Sequence, residues 1–363
     1  MDRAKIEQSK KIIENSFLKQ FIEDDNITDI TFNGDKTIVV HNQKGPYLAP
    51  YQPTLEEIKS LVKRIADIQE KEITDTTPIL NTEFDVFRVS AVHEVVSPYG
   101  MTMAFRVSKP KRRINDLSEI ANKDVAKLLE VLIKAGNNLI ISGQVGSGKT
   151  EVQKTLVGHI PNEKKIIVIE DTMDSRLKEL YPDKDISSWV VKTESRENPI
   201  YYRDLIKVAL RHNPDWLIVA ETRGSEAYDM VEAALTDHLI VTTLHAKGAH
   251  AILSRLLSMI GQEYSINPLL WGKDIVQNIK FGIHMAKEST KQGVKRYIKQ
   301  IVEYTDFNED GPRYKNLYQV RKIYDPATKQ YREEETYESL SEGSLIQIQD
   351  KQLYHEVPEI FIP

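Results

Sequence analysis

Eight residues near the middle of the chain have the types and spacing of a phosphate-binding loop. In order they are Gly143, Gln144, Val145, Gly146, Ser147, Gly148, Lys149 and Thr150, which is the Walker A pattern. Glycines let backbone N–H groups curl around a phosphate, and the N-terminus of the following helix adds a partial positive charge. The lysine can then reach the β- and γ-phosphates of a nucleotide, and the threonine hydroxyl can ligate Mg²⁺.

The flanking sequence gives this loop the context that the motif requires. An apolar strand at 139–141 precedes it, and a helical pattern at 152–160 follows it. A chance glycine-rich turn is the structural alternative, but it does not need a strand before it and a helix after it. The order of strand, turn and helix therefore favours nucleotide binding.

Two carboxylates follow other predicted strands. Glu170 comes directly after the apolar run 166–169, and Glu221 comes after the run 216–220. In a doubly wound sheet the ligand lies beyond the carboxyl ends of the strands, so both acids are expected to face the phosphates. One acid could hold the water shell of a metal ion and the other could orient or deprotonate the attacking water. The alternative is that each merely caps a strand or a helix.

Three further residues could act on a phosphate. His245 ends the apolar strand 239–244 and could sense a γ-phosphate through a hydrogen bond, although a lone histidine after a strand is more often structural. Arg211 and Arg223 could stabilise charge in phosphoryl transfer, including from a neighbouring subunit. Solvated surface arginine is the simpler interpretation of both.

The elements that would position these residues fall into four segments. Residues 1–108 predict an α+β domain, and 109–114 predict an exposed linker that contains Pro110 and a charge run. Residues 115–305 alternate helical patterns with short apolar strands, which is typical of an α/β domain with a mostly parallel sheet. Residues 306–363 predict a β-rich appendage.

Local signals add detail to the N-terminal segment. The periodicity predicts a helix over 6–22, and the turn Asn33-Gly34-Asp35 predicts a hairpin. Thr54 and Glu57 form a candidate capping box before a second helix. The runs 84–95 and 101–108 predict strands.

Composition excludes several classes of protein. The 363 residues include no cysteine, which removes disulfides, cysteine zinc sites and thiol catalysis, and suits a reducing compartment. The net charge of -5 gives no overall basic field, so we do not expect direct nucleic-acid binding. The start of the chain lacks an apolar signal segment, and no run of about 18 apolar residues is present. We expect a cytoplasmic protein.

Taken in order, four motifs resemble those of the secretion ATPase superfamily, the motor ATPases of type II and type IV secretion and of type IV or Tad pili. They are the Walker A loop at 143–150, an aspartate box at 169–177, a Walker B equivalent at 217–223 and a histidine box at 238–246. Two positions depart from the family pattern: Ala220 and Asp237 stand where glycine is usual. The absence of cysteine excludes the tetracysteine zinc module of the type II branch.

The resemblance implies a RecA-like P-loop ATPase domain that uses ATP and Mg²⁺, preceded by a smaller α+β domain. It implies a homo-hexamer at the inner face of the cytoplasmic membrane, associated peripherally with the membrane platform and the other ATPases of a secretion or pilus machine. It also implies that Arg88 and Arg106 reach the nucleotide from the N-terminal domain. Within this family we take Glu170 as the candidate base, and Glu221, with Thr150, as the metal-site residue.

Two alternatives remain at this stage. The first is a RecA-like motor that acts directly on nucleic acid, which stimulation of the ATPase by DNA or RNA would favour. The second is a nucleotide-binding regulatory subunit without turnover, which a phosphate-release assay would distinguish.

Overall fold

The chain folds into two compact units. A computed structural model describes residues 3–41, 43–193, 198–291 and 293–363. The first unit contains the chain up to Lys109 together with Ser289–Lys295. The second contains Pro110–Glu288 and Arg296–Pro363.

The first unit is built on an antiparallel sheet covered by helices. Its described elements are α1 (Arg3–Glu14), α2 (Lys19–Ile22), β1 (Ile27–Phe32), β2 (Thr37–His41), β3 (Gly45–Leu48), α3 (Leu55–Ile68), β4 (Ile79–Phe84), β5 (Phe87–Val92) and β6 (Thr102–Val107). In the described ranges six strands form this sheet, in the order β3-β2-β1-β6-β5-β4. Side chains that alternate along the strands pack with α3 in a single hydrophobic core.

Most of the local signals in this unit correspond to observed elements. The predicted hairpin is confirmed, since β1 and β2 pair antiparallel around the turn at 33–36. The capping box of Thr54 and Glu57 is confirmed at the start of α3. The predicted strand at 84–95 begins too early, because the chain turns at Asp85, whose φ is 53°, between β4 and β5.

The prediction of one continuous helix over 6–22 is wrong, because the segment forms two helices, α1 and α2. Ser16 interrupts it. The Ser16 hydroxyl donates to the carbonyl of Ile13 at 3.0 Å and accepts from the amide of Leu18 at 3.3 Å. These local bonds offer the backbone an alternative to the helical ladder.

The second unit is an α/β structure. Its described strands are β7 (Leu139–Gly143), β8 (Ile166–Glu170), β9 (Ile186–Val190), β10 (Trp216–Val219), β11 (Leu239–Leu244), β12 (Phe281–Thr290), β13 (Gly293–Asn308), β14 (Gly311–Asp325) and β15 (Gln330–Tyr337). Its described helices are α4 (Lys123–Lys134), α5 (Lys149–Gly158), α6 (Leu177–Leu180), α7 (Tyr202–Arg211), α8 (Ala227–Leu235), α9 (Ile252–Ile260), α10 (Pro268–Asn278) and α11 (Glu342–Asp350). Short 3₁₀ turns occupy Leu117–Glu119, Ala249–Ala251, Tyr354–Glu356 and Glu359–Phe361.

The sheet of this unit places the ends of its parallel strands along one edge. Over the described residues its strand order is β15-β14-β13-β12-β7-β11-β10-β8-β9. Each neighbouring pair from β12 to β9 is parallel. Both faces are covered, since Ile140 and Ile167 pack into one core while Ile141 and Val168 pack into the other.

The C-terminal segment is part of this same unit, whereas the sequence led us to expect an appendage at 306–363. Strands β14 and β15 extend the large sheet through antiparallel pairs. Ile348 of α11 and Phe361 are fully buried in one of the two cores of the sheet. The segment also contains a helix, α11, so it is not β-rich throughout.

Among the described residues, no helix has both the length and the apolar composition that crossing a bilayer requires.

Candidate functional site

The glycine-rich loop connects β7 to α5 through backbone conformations that favour glycine. Gly146 has a φ of 73° and Gly148 a φ of 95°. A Cβ on Gly143 would lie 2.5 Å from the Ser147 hydroxyl and 2.7 Å from the carbonyl oxygen of Met285. Glycine at 143 therefore allows β7 and β12 to approach closely at the point where the loop begins.

The polar groups of the loop suit an anionic ligand. Lys149 is 8% exposed, and its ammonium donates to the carbonyls of Gly143 at 3.1 Å and Gln144 at 3.4 Å. Burial lowers the pKa of Lys149, although the nearby Glu221 opposes this shift. The Ser147 hydroxyl is buried without a hydrogen-bond partner among the described residues. Helix α5 begins here without a side-chain cap, so its first amides can face an anion.

The α5 helix is fixed to the sheet by a buried amide that the sequence did not single out. Gln153 donates to the carbonyl of Val219 at 3.1 Å and to that of Val241 at 3.3 Å. Because these carbonyls belong to β10 and β11, Gln153 sets the helix relative to the two strands that end in Glu221 and His245.

Four charged or ionisable side chains form a connected cluster at the strand ends. Arg223 Nη1 donates a hydrogen bond to Asp171 at 2.9 Å, and its Nη2 donates one to Glu221 at 2.6 Å. His245 Nε2 lies 3.0 Å from the other oxygen of Glu221. Both carboxylates raise the pKa of Arg223, the hydrogen bond to Glu221 most strongly, which holds the guanidinium firmly charged. The structure thus brings together three residues predicted from sequence, and it adds Asp171.

Glu170 lies at the end of β8 in a separate, drier environment. Its side chain is 2% exposed and accepts from the amide of Ser175 at 2.9 Å. Burial raises the pKa of Glu170 to about 7, and the bond from Ser175 opposes the shift. A carboxylate with this pKa can exchange a proton near neutral pH, as a general base must.

Among the predicted residues of the second unit, Arg211 does not lie at this edge. Arg211 is exposed at the C-terminus of α7, five residues before β10 begins. Because β10 runs parallel to β7, Arg211 lies at the opposite edge of the sheet from the glycine loop. Arg88 and Arg106 belong to the first unit, where they are directly opposite each other on β5 and β6. Arg106 also pairs with Asp29 at 3.3 Å.

A cavity of about 570 Å³ adjoins the first two residues of the loop, and it contains a histidine that sequence reasoning missed. His284 lies on β12, and its Nδ1 is 2.9 Å from the hydroxyl of Ser142. Burial lowers the pKa of His284 to about 4, with Lys299 adding to the shift, so the ring is neutral at pH 7. An isolated histidine in a strand carries no signal in the sequence.

Asp237 has a left-handed backbone conformation, which glycine adopts without strain. Its φ is 68°, in the left-handed region that aspartate enters more readily than most side chains. The departure from the family pattern at this position is therefore compatible with the same turn before β11.

A glycine-rich loop between a parallel strand and a helix, with carboxylates at the ends of neighbouring strands, is the arrangement of α/β proteins that bind phosphorylated ligands. The family model "Type II/IV secretion system protein" matches residues 21–291. The chain belongs to this family, as its motifs indicated.

Individual proteins are also similar to this chain. An uncharacterised protein of Bacillus anthracis is 30% identical over 315 residues, which cover 83% of this chain and 70% of that protein. The type IV secretion system protein PtlH of Bordetella pertussis is 27% identical over 278 residues, which cover 68% and 81%. Among solved structures, the ATPase DotB of Legionella pneumophila is similar in fold, with a TM-score of 0.57, 21% identity and 78% of each chain covered.

Proposed function

We propose that this chain is an ATP-hydrolysing motor of RecA-like fold that powers macromolecular transport or pilus assembly in a secretion machine. The observation that carries the proposal is the glycine loop with its buried lysine, together with the charge of Glu221 close to that lysine. Glu170 ends another parallel strand at the same edge of the sheet. Membership of the type II/IV secretion system protein family supports the same function.

The residues of the loop would bind the phosphates. The loop amides other than that of Ser147, which donates to the carbonyl of Gln144, would surround the β-phosphate together with the N-terminus of α5. Lys149 would leave its two carbonyl partners to bridge the β- and γ-phosphates. The Thr150 hydroxyl and Glu221, the latter through water, would hold Mg²⁺, which when bound neutralises charge on the phosphates.

Glu170 would act as the general base. Its pKa of about 7 lets it accept a proton from the attacking water without being protonated at the start of the reaction above neutral pH. Arg223 and His245 contact Glu221 directly. A change at Glu221 on nucleotide binding would therefore be transmitted to the segments that follow β10 and β11. A role for Arg211 requires a neighbouring subunit, since within this chain it is at the far edge of the sheet.

The assembly belongs to the proposal as well. We propose a homo-hexamer that docks peripherally on a membrane platform at the cytoplasmic face and works with the other ATPases of the machine. The relative PtlH is named as a type IV secretion system protein, and this supports a machine of the type IV secretion class.

The direct test is release of inorganic phosphate by the purified chain with ATP and Mg²⁺, with EDTA as the control. We expect turnover that needs Mg²⁺ and is unchanged by added DNA or RNA. Binding of ATP without phosphate release would favour a regulatory subunit. Strong stimulation by nucleic acid would favour a motor that acts directly on it.

A further inference from the structure

The carbonyl of Gly146 is held by an arginine that lies 150 residues further along the chain. Arg296 Nε donates to this oxygen at 2.8 Å. The stem of the same side chain lies along the loop, since its Cδ is 3.6 Å from the point that a Cβ on Gly148 would occupy. Burial lowers the pKa of Arg296, and the proximity of Arg113 lowers it further. The guanidinium is thus desolvated and lies near a like charge at this position.

The bond from Arg296 fixes the orientation of a whole peptide group. The carbonyl of Gly146 and the amide of Ser147 belong to one planar trans peptide, so they point in opposite directions. The amide of Ser147 donates to the carbonyl of Gln144 at 3.2 Å. With Arg296 on one side and Gln144 on the other, the peptide is held at both ends. The curvature of the loop from 144 to 147 depends on this orientation.

We propose that Arg296 is a positioning residue for the phosphate loop, which it holds in the shape that receives a phosphate. This inference rests on the proposed function only in that the loop binds a phosphorylated ligand. Arg296 acts through Gly146 and needs no contact with the ligand. A residue of this kind lies outside the Walker A motif and cannot be recognised from it.

The experiment measures hydrogen exchange of the loop without nucleotide and, separately, the affinity for ADP. Arg296→Met keeps most of the aliphatic stem and removes the donor, and Arg296→Lys restores a charged donor. Arg321→Ala is the matched control, because Arg321 lies on the neighbouring strand β14 and makes an Nε bond of 2.8 Å, to the side chain of Gln319. Amide hydrogen exchange is followed in peptides that cover 144–149, and ADP is titrated by calorimetry.

We expect exchange in the loop to be about tenfold faster in Arg296→Met, with a similar loss of ADP affinity, since a hydrogen bond to a charged group has about this effect. Arg296→Lys should recover part of both, and Arg321→Ala should match the parent. Loop exchange in Arg296→Met within twofold of the parent, at an unchanged unfolding midpoint, overturns the inference. So does faster exchange that spreads over the entire chain in Arg296→Met and is not reduced by Arg296→Lys.

The two proposals fail in different ways. A parent chain that releases no phosphate contradicts the proposed motor, while the exchange rates of the loop still decide the role of Arg296. If the parent hydrolyses ATP but Arg296→Met leaves hydrogen exchange in the loop unchanged, only the positioning role of Arg296 is contradicted.

Discussion

Two glutamates of the site differ in what surrounds them, and this difference separates their chemistry. Glu170 is buried and has one hydrogen bond from a backbone amide, so its ionised form is poorly solvated. Glu221 already has a guanidinium and an imidazole on its two oxygens. A group that must take up a proton is better served by the first environment, and a group that must stay charged is better served by the second.

Replacing Glu170 by Gln should leave ATP binding intact and slow hydrolysis by about 10²-fold to 10⁴-fold, because the amide keeps the shape of the side chain but accepts no proton. In the parent, kcat/KM should fall as the pH drops below about 7, since protonation of Glu170 removes the base. Steady-state rates from pH 5.5 to 8.5 provide the check. Normal turnover in Glu170→Gln together with arrest in Glu221→Gln would reverse the two roles.

Residues that belong to a contiguous motif could be predicted from the sequence, and residues that meet only in the fold could not. Lys149 and Glu221 follow from spacing and from their position after apolar strands. Arg296 and His284 reach the loop from strands that are more than 130 residues away. No local pattern indicates such pairs, since they depend on β12 lying beside β7 and on β13 lying beside β12.

The element that we propose to bind phosphate is the turn between β7 and α5, and its shape depends on glycine where other side chains would collide. At 143 the obstacles are the Ser147 hydroxyl and the main-chain carbonyl of Met285, both closer than 3.0 Å to any added Cβ. The second obstacle belongs to β12 and cannot rotate away.

Gly143→Ala should therefore destabilise the fold by roughly 1–3 kcal/mol and abolish most ADP binding, because the loop or β12 must shift. Gly343→Ala is the matched control, because Gly343 lies in the first turn of α11 with nothing within 4 Å of the added methyl. We expect Gly343→Ala to keep the stability of the parent or to gain up to about 0.5 kcal/mol, as alanine is favoured over glycine in a helix. Denaturant unfolding and ADP titration measure both variants. Equal stability and equal ADP affinity of Gly143→Ala and Gly343→Ala would refute the close approach of β7 and β12 at 143.

At this scale the strands were easier to predict than the sheet. Apolar runs located β7, β8, β10 and β11 to within a residue or so, because a strand covered on both faces must be apolar throughout. The membership of β14 and β15 in the same sheet was missed. Both are long strands with many polar residues. A polar strand near the edge of a sheet has the same composition as a strand in a separate domain, so the sequence does not distinguish the two.

For the whole molecule, the open question is whether the first unit responds to the nucleotide. The family resemblance assigns this role to Arg88 and Arg106, which face each other across β5 and β6. Like charges placed directly opposite on a sheet are unfavourable, so an anionic partner stabilises this pair. Asp29 is one such partner for Arg106.

Arg88→Ala and Arg106→Ala, made separately, should weaken binding of a nonhydrolysable ATP analogue by about tenfold and affect ADP less, because a charge-assisted contact to a γ-phosphate is lost. Arg64→Ala, an arginine on α3 of the same unit, serves as the control. Calorimetric titration with both ligands distinguishes the outcomes. Small and equal changes in affinity for both nucleotides would show that these arginines lie on the strand surface and do not contact the nucleotide.

The central claim is that this chain hydrolyses ATP at the loop of 143–150, and Lys149→Ala tests it most directly. Phosphate release with ATP and Mg²⁺ should fall at least a hundredfold, since the charge that bridges the β- and γ-phosphates is removed. Lys178→Ala, at an exposed lysine of α6, should keep the rate of the parent. Turnover by Lys149→Ala within twofold of the parent would contradict the assignment of the loop.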